Sequence, residues 1–310
     1  MNIEAIFITM SKMFTLILLG YGLMKKGSLD KNSNRRLSGL VVSVLSPALI
    51  LSSVCSRQGN SDKNLIWSAL LIGIILYVVL IIISKIIIAL FHLETKERSV
   101  FELLIIFNNT AFIGYPILRV MYGEFSVFVF SVLHMPFNIL IYSYGVFLIQ
   151  KGKKDNYKKI DFHNFISTGI ISSLLAIIIY FAELHIPTPF VELLSMVGEA
   201  TIPLSMIVIG SSLALIPFKK IFMKKKIYVL SLIKLVGMPI FAYVVVGLLP
   251  IENFLKELVI VTSTLPAGSM IVMLSAEYEG NTEVASIGVF VTTLFSVVTI
   301  PIMIKYLIYN

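Results

Sequence analysis

Asn108–Glu124 reads NNTAFIGYPILRVMYGE. Two adjacent asparagines, a threonine, a glycine and a proline interrupt a run that is otherwise apolar enough for a membrane helix. A proline inside a helix removes one backbone donor, and its ring clashes with the carbonyl four residues back. For Pro116 that carbonyl is Phe112. Gly114 lowers the cost of leaving helical geometry. The expected result is an unwound stretch over 109–116. Backbone left unpaired in lipid costs several kcal/mol per group, so such a stretch must lie against protein or line a water-filled cavity.

The rest of the chain sets the solvent. Of 310 residues, 57% are hydrophobic and 14% charged, where a soluble domain carries about 25% charged residues. Apolar runs of about 20 residues recur, each long enough to cross about 30 Å of hydrocarbon. Ten helices are expected, at 3–24, 37–55, 64–91, 97–121, 124–149, 163–184, 192–216, 226–249, 252–278 and 282–308. The start, MNIEAIFITMSKMF, has no basic n-region or small-residue cleavage site and reads as a retained first helix.

The net charge of +8 does not point to nucleic acid, because the basic residues cluster in short loops between apolar runs. Lys25, Lys26, Lys31, Arg35 and Arg36 follow the first helix, and Lys96 and Arg98 the third. Lys151, Lys153, Lys154, Lys158 and Lys159 follow the fifth; Lys219, Lys220, Lys224, Lys225 and Lys226 follow the seventh. Even-numbered loops hold almost none. The positive-inside rule then makes odd loops cytoplasmic and both termini extracytoplasmic, in the cell membrane. The acidic loop EYEGNTE takes its side from parity alone. One cysteine, Cys55, excludes an internal disulfide and metal-type spacing. With no P-loop, metal cluster or nucleophile triad, neither a cofactor nor an enzyme activity is expected.

The basic segment 151–162 divides the chain into repeats 1–150 and 163–310. Five helices per repeat force opposite orientations, a plan recurrent in secondary transporters. LSPALILSS in helix 2 echoes TIPLSMIVIGSS in helix 7, and Pro116 and Pro136 correspond to Pro266 and Pro301. The ninth span, with VTSTLPAGSM, repeats the device of the fourth. Pro266 frees the carbonyl of Thr262, and Gly268 sits beside it. Where two broken helices cross, half-helix N-termini converge with partial positive charge. Asn109, Thr110, Ser263 and Thr264 add neutral donors and acceptors. That constellation suits a small anion that must bind and also leave. Ser46 is a candidate wall of the cavity, and His134 and Asn138 share a face of helix 5. Thr292, Ser296 and Thr299 form a hydroxyl stripe on helix 10, of a kind that mostly bonds its own backbone.

The four aspartates, Asp30, Asp62, Asp155 and Asp161, fall in loops or at span edges. The absence of a carboxylate at the crossover centre argues against sodium or proton exchange and for an organic anion. Depth at about 1.5 Å per residue pairs Lys85 with Glu102 and Lys12 with Glu199. Lys234 has no evident partner: it supplies charge to an anion's path, titrates, snorkels or pairs with Glu102. His134 is a proton relay or a hydrogen-bonded packing residue.

NTAFIGYPILRVMYGE and LPAGSMIVMLSAEYEGNTEVAS resemble the two crossover segments of the auxin efflux carrier family, which includes plant PIN-type and bacterial malonate-type carriers. GYGLMKKGSL with RLSGLVVSVLSPALILSS resembles the family's first two helices, and LIKLVGMPIFA its eighth. The resemblance covers essentially the whole chain. It implies an all-α, ten-helix membrane fold like that of sodium/proton antiporters and bile acid transporters. Helices 1, 2, 6 and 7 would form a scaffold that often makes a homodimer contact, and helices 3–5 and 8–10 a transport unit. It also implies that Asn109 contacts a substrate carboxylate and that Pro116 and Pro266 mark the crossing. Helix 3, NLIWSALLIGIILYVVLIIISKII, carries one charge, Lys85, where plant members carry more, so an auxin-type substrate does not carry over. The functional expectation is a secondary carrier of small carboxylates in the lipid bilayer. The alternatives are a non-transporting receptor or regulatory subunit, or an ion-coupled antiporter.

Overall fold

The computed structural model describes residues 3–55, 63–91, 93, 95–151, 168–215, 225–278 and 280–309. Residues 152–162 of the basic linker, Asp62, and Lys219, Lys220 and Lys224 lie outside the described residues.

The helices are α1 (Ile3–Lys25), α2 (Lys31–Cys55), α3 (Lys63–Ala89), α4 (Thr95–Ile106), α5 (Tyr115–Tyr122), α6 (Glu124–Leu133) and α7 (Met135–Gln150). They continue with α8 (Thr168–Phe181), α9 (Thr188–Ala214), α10 (Lys225–Gly247), α11 (Asn253–Thr264), α12 (Met270–Glu277) and α13 (Thr282–Ile308). Among the described residues five helices are long and apolar enough to cross a membrane, and six when the bent pair α6–α7 is one span. The fourth and ninth expected spans are each two shorter helices. Of the sixth, only α8 is described.

Most boundaries have a local cause. The second span starts at Lys31 rather than near 37 because Asp30 caps it, its carboxylate accepting from the Ser33 N–H at 2.6 Å. These bonds hold the Asp30 carboxyl below the usual carboxylate range. The seventh span starts at Thr188, with Pro189 in the first turn where no donor is needed. It is interrupted at Ala200, three residues before Pro203, whose missing N–H would have bonded Glu199. The α6–α7 bend of 43° falls at His134, two residues before Pro136.

The helices form two compact units, comprising residues 1–74, 111–138 and 166–215, and residues 75–110, 139–165 and 216–310. In the first, α1 packs closely on α9. A Cβ at Gly210 would overlap the carbonyl of Ile17, and one at Gly20 that of Ile207, so only glycine lets these backbones approach. The Asn34 amide ties α2 to α9, donating to Ser212 Oγ at 2.8 Å and accepting from Ser211 Oγ. Arg119 binds Glu124 at 2.5 Å and Glu199 at 3.3 Å. Glu199 is therefore the partner of Arg119, not of Lys12, which is exposed. Depth bookkeeping fixes a height along the span, not an azimuth, and an arginine at the same level took the carboxylate.

In the second unit Glu102 is buried and accepts from Tyr144 O–H at 2.5 Å. Lys85 lies over the Tyr144 ring, 5.7 Å from its centre. The expected Lys85–Glu102 pair is thus replaced by a tyrosine that serves both: its hydroxyl binds the carboxylate and its π-face the ammonium. Leu104 fills the notch left by Gly288 of α13. On α3, Trp67, Leu71, Ile75, Val78, Ile82 and Ile86 are exposed along one side. A helix of mean hydropathy 3.0 with 28% of its apolar window buried presents that side to lipid.

Candidate functional site: the meeting of two broken helices

The segments expected as the fourth and ninth spans open inside the second unit, at residues 107–109 and 265–268. α4 stops at Ile106, before two asparagines, whose amides compete with the backbone for hydrogen bonds. α11 stops at Thr264 because Pro266 disfavours helical geometry for the residue before it. Leu265 is accordingly extended, with φ −69° and ψ 142°. The two open segments pair with each other. Asn109 N–H donates to Pro266 O at 2.8 Å, and Gly268 N–H to Phe107 O at 2.9 Å, making an antiparallel bridge between Asn108 and Ala267. Backbone that would be ruinous in lipid is satisfied by its counterpart. Gly268 permits the approach, since a Cβ there would stand 3.0 Å from the Asn108 carbonyl oxygen. Thr292 of α13 donates to Gly288 O at 2.8 Å and accepts from Ala267 N–H at 3.3 Å.

The opening differs from the one read from the sequence. It covers residues 107–109, not 109–116. Thr110–Gly114 form a π-helical turn, and α5 starts at Tyr115 with Pro116 in its first turn. The wider turn takes up the register change that the missing proline donor imposes. Gly114 has helical φ and ψ of −63° and −54°, so its freedom is not used.

Side chains then complete the crossing. The carbonyl of Thr262, freed by Pro266, accepts from Asn108 Nδ2 at 3.0 Å and from Leu265 N–H at 3.2 Å. Asn108 Oδ1 accepts from Lys234 Nζ, which also donates to Ile105 O at 2.6 Å. Lys234 sits in a π turn of α10, Ile233–Gly237, just before Pro239. It is 2% exposed, and among the described residues no carboxylate lies within ion-pair distance of it. Its partner is Asn108, not Glu102.

Asn109 and Thr110, 3% and 7% exposed, make no side-chain hydrogen bond among the described residues. Ser263 and Thr264 donate to their own helix, at Ile260 O and Val261 O. The structure thus gathers Asn109, Thr110, Lys234, Pro266 and Gly268 at one place, with Ser263 and Thr264 on the adjoining turn.

Ser46, Gly114, Pro116 and His134 belong to the first unit. Ser46 Oγ is buried without a hydrogen-bond partner among the described residues. His134 Nδ1 is 2.9 Å from Phe130 O and its ring packs 4.0 Å from that of Phe130. The Asn138 side chain lies outside the described residues. The residue that sequence reasoning missed is Asn108. Its signal was present, as an amide adjoining Asn109 and a buried lysine lacking a partner.

Among the described residues, five apolar helices of spanning length, with two further pairs of shorter helices joined at their breaks, make the architecture of a multi-pass membrane protein. A family model described as "Membrane transport protein" matches residues 5–164 and 156–304, and the chain belongs to that family, the one of the auxin efflux carriers. An uncharacterized transporter of Methanocaldococcus jannaschii is 26% identical over 294 residues, covering 93% of this chain and 94% of that protein.

Proposed function

We propose that this transporter carries small organic anions, with malonate-like carboxylates as the leading class, across the cytoplasmic membrane, and that it binds them at the crossing of its fourth and ninth spans. The observation that carries the reading is the pair Asn109 and Thr110, whose side chains are 3% and 7% exposed and make no hydrogen bond among the described residues, adjoining the Asn108 that holds the Lys234 ammonium, which no carboxylate among the described residues neutralises. A buried polar group left unpaired costs free energy that a ligand would recover. The N-terminal end of α12 begins two residues after Gly268 and adds partial positive charge. Ser263, Thr264 and Gly268 line the approach.

In this reading ten spans form two inverted halves, 1–150 and 163–310, with both termini extracytoplasmic. Transport proceeds by alternating access, and Lys234 and His134 are the candidates for coupling. Lys234 supplies countercharge through Asn108.

The test is flux. Purified protein in liposomes is offered labelled mono- and dicarboxylates, under uptake and exchange conditions. Saturable uptake inhibited by unlabelled carboxylate supports the carrier. Binding without uptake or exchange would instead mark a receptor of the same fold.

A further inference from the structure

We infer that α5 and α6 form a hairpin that swings as one piece on a joint at each end, and that the Arg119–Glu199 ion pair is the latch that holds its tip. The two helices are tied to each other at three places. Arg119 Nε donates to Glu124 at 2.5 Å, Ser126 Oγ donates to Leu118 O at 2.9 Å, and the Tyr115 and Phe130 rings meet edge to face at 5.9 Å. Gly123, at φ 80°, turns the corner between them. Regular helix is lost on both sides of this pair. Before α5 come the open residues 107–109 and the π turn Thr110–Gly114. After α6 comes the 43° bend at His134, with Pro136 behind it. The chain passes between the two compact units at these same places, at residues 110–111 and 138–139. A few residues at the ends of helices are what absorbs the backbone rotation of a hinge.

The hairpin is held differently at base and tip. At the base, a Cβ on Gly73 of α3 would overlap the carbonyl of Leu133, so backbone sits on backbone beside the His134 joint and supplies a pivot. Near the tip, Phe125 and Phe128 pack on Tyr180 of α8, with ring centres 6.2 and 5.3 Å apart. Arg119 Nη2 reaches Glu199 of α9 at 3.3 Å, and the Glu199 side chain is 62% exposed. An exposed ion pair shifts an equilibrium by a factor of about two to five. That is enough to bias a swing and too little to forbid it. Asn109 and Thr110 stand at the first joint, so the swing turns these two side chains. The inference rests on the carrier reading only for its flux measurement; the motion itself is tested without a carboxylate.

Cys55 is the chain's single cysteine, so Cys55→Ser gives a background free of thiols. In it Tyr180→Cys, at a position 5% exposed and covered by Phe125 and Phe128, reports the swing through its rate of reaction with a polar maleimide. Adding Glu199→Gln should raise that rate about two- to fivefold. Potassium chloride at about 1 M should raise it similarly where Glu199 is present, and add nothing to Glu199→Gln. Ala285→Cys, fully buried in α13 of the second unit, is the control and should react at one rate with or without Glu199→Gln. An unchanged Tyr180→Cys rate overturns the inference, and so does an equal acceleration at Ala285→Cys, which would mark a general loosening. In a second arm, Arg119→Cys with Glu199→Cys is bridged by a short bis-methanethiosulfonate in liposomes. The bridge should stop carboxylate uptake and a reductant should restore it; uptake indifferent to the bridge overturns the inference. A wild type without any carboxylate uptake defeats the carrier reading instead, and the labelling rates then decide the hairpin by themselves.

Discussion

Asn108 and Asn109 are neighbouring amides in opposite circumstances, and alanine at each should separate the fold from the ligand. Asn108→Ala deletes the donor to Thr262 O at 3.0 Å and the acceptor of the Lys234 ammonium. A neutral hydrogen bond between membrane helices is worth about 0.6–1.7 kcal/mol, and one to a charged group about 1.5–3 kcal/mol. Together the loss is about 2–5 kcal/mol of stability, a large part of what holds a fold. Asn109→Ala deletes a side chain that bonds nothing described, and leaves its N–H on Pro266 O. Its stability should change by less than about 1 kcal/mol, since a small cavity is offset by removing an unpaired polar group. Its ligand affinity should fall, because the lost amide–carboxylate bond of about 1.5–3 kcal/mol is a factor of roughly 10–100 in Kd. Thermal unfolding with and without malonate measures both quantities in one experiment, and liposome uptake checks the affinity. The reasoning fails if Asn109→Ala is as destabilised as Asn108→Ala, or if it keeps the wild-type response to every carboxylate that stabilises the wild type.

Gly210→Ala should cost about 1–3 kcal/mol by forcing α1 off α9, whereas Gly22→Ala, facing open space in α1, should stabilise by about 0.5–1 kcal/mol; equal melting temperatures for the two would refute the packing account. Lys234→Gln should slow anion transport at every pH, and an unchanged rate would assign Lys234 to packing. The Asp30 carboxyl is held below its ordinary range by the Ser33 N–H, so its capping contribution is present above the unfolded carboxyl's pKa and lost as pH falls through the lowered value. Hydrogen exchange of the Ser33 amide, corrected for its intrinsic rate, should accelerate on acidification in the wild type but not in Asp30→Asn, which keeps a cap without a titrating group.

How much of this was legible depended on how far each cause acts. Pro266 constrains the residue before it, so the end of α11 followed from four letters, and the freed Thr262 carbonyl lay where the proline put it. Pro116 has the same chemistry but two local solutions, an open backbone or a widened turn. The chain took the second at Thr110–Gly114 and opened earlier, at Phe107–Asn109. Nothing within a few residues distinguishes them, because the choice is made by pairing with a segment about 160 residues on. The charge partners were harder still. The acceptor of Lys234 lies 126 residues away on another helix, and a hydropathy profile orders residues by depth without saying which way they face.

The crossing divides its polar groups into saturated and unsaturated sets, and the division follows the helix ends. At the carboxyl-terminal ends, carbonyls, Asn108 and Lys234 use up one another's capacity, and Thr292 takes the Ala267 N–H. That side can hold two spans together through a cycle. On the other side Asn109 and Thr110 bond no side chain or carbonyl among the described residues through their own side chains. A carrier that bound its anion through a fully desolvated ion pair would gain affinity and lose release. Two neutral partners, each contributing about 1.5–3 kcal/mol to an anion, total about 3–6 kcal/mol before the entropy of association is subtracted. On the proposed reading this places the ligand in the millimolar range or weaker unless the nearby ammonium contributes through space. The charge of Lys234 would then set the working affinity, while Asn109 and Thr110 set its direction.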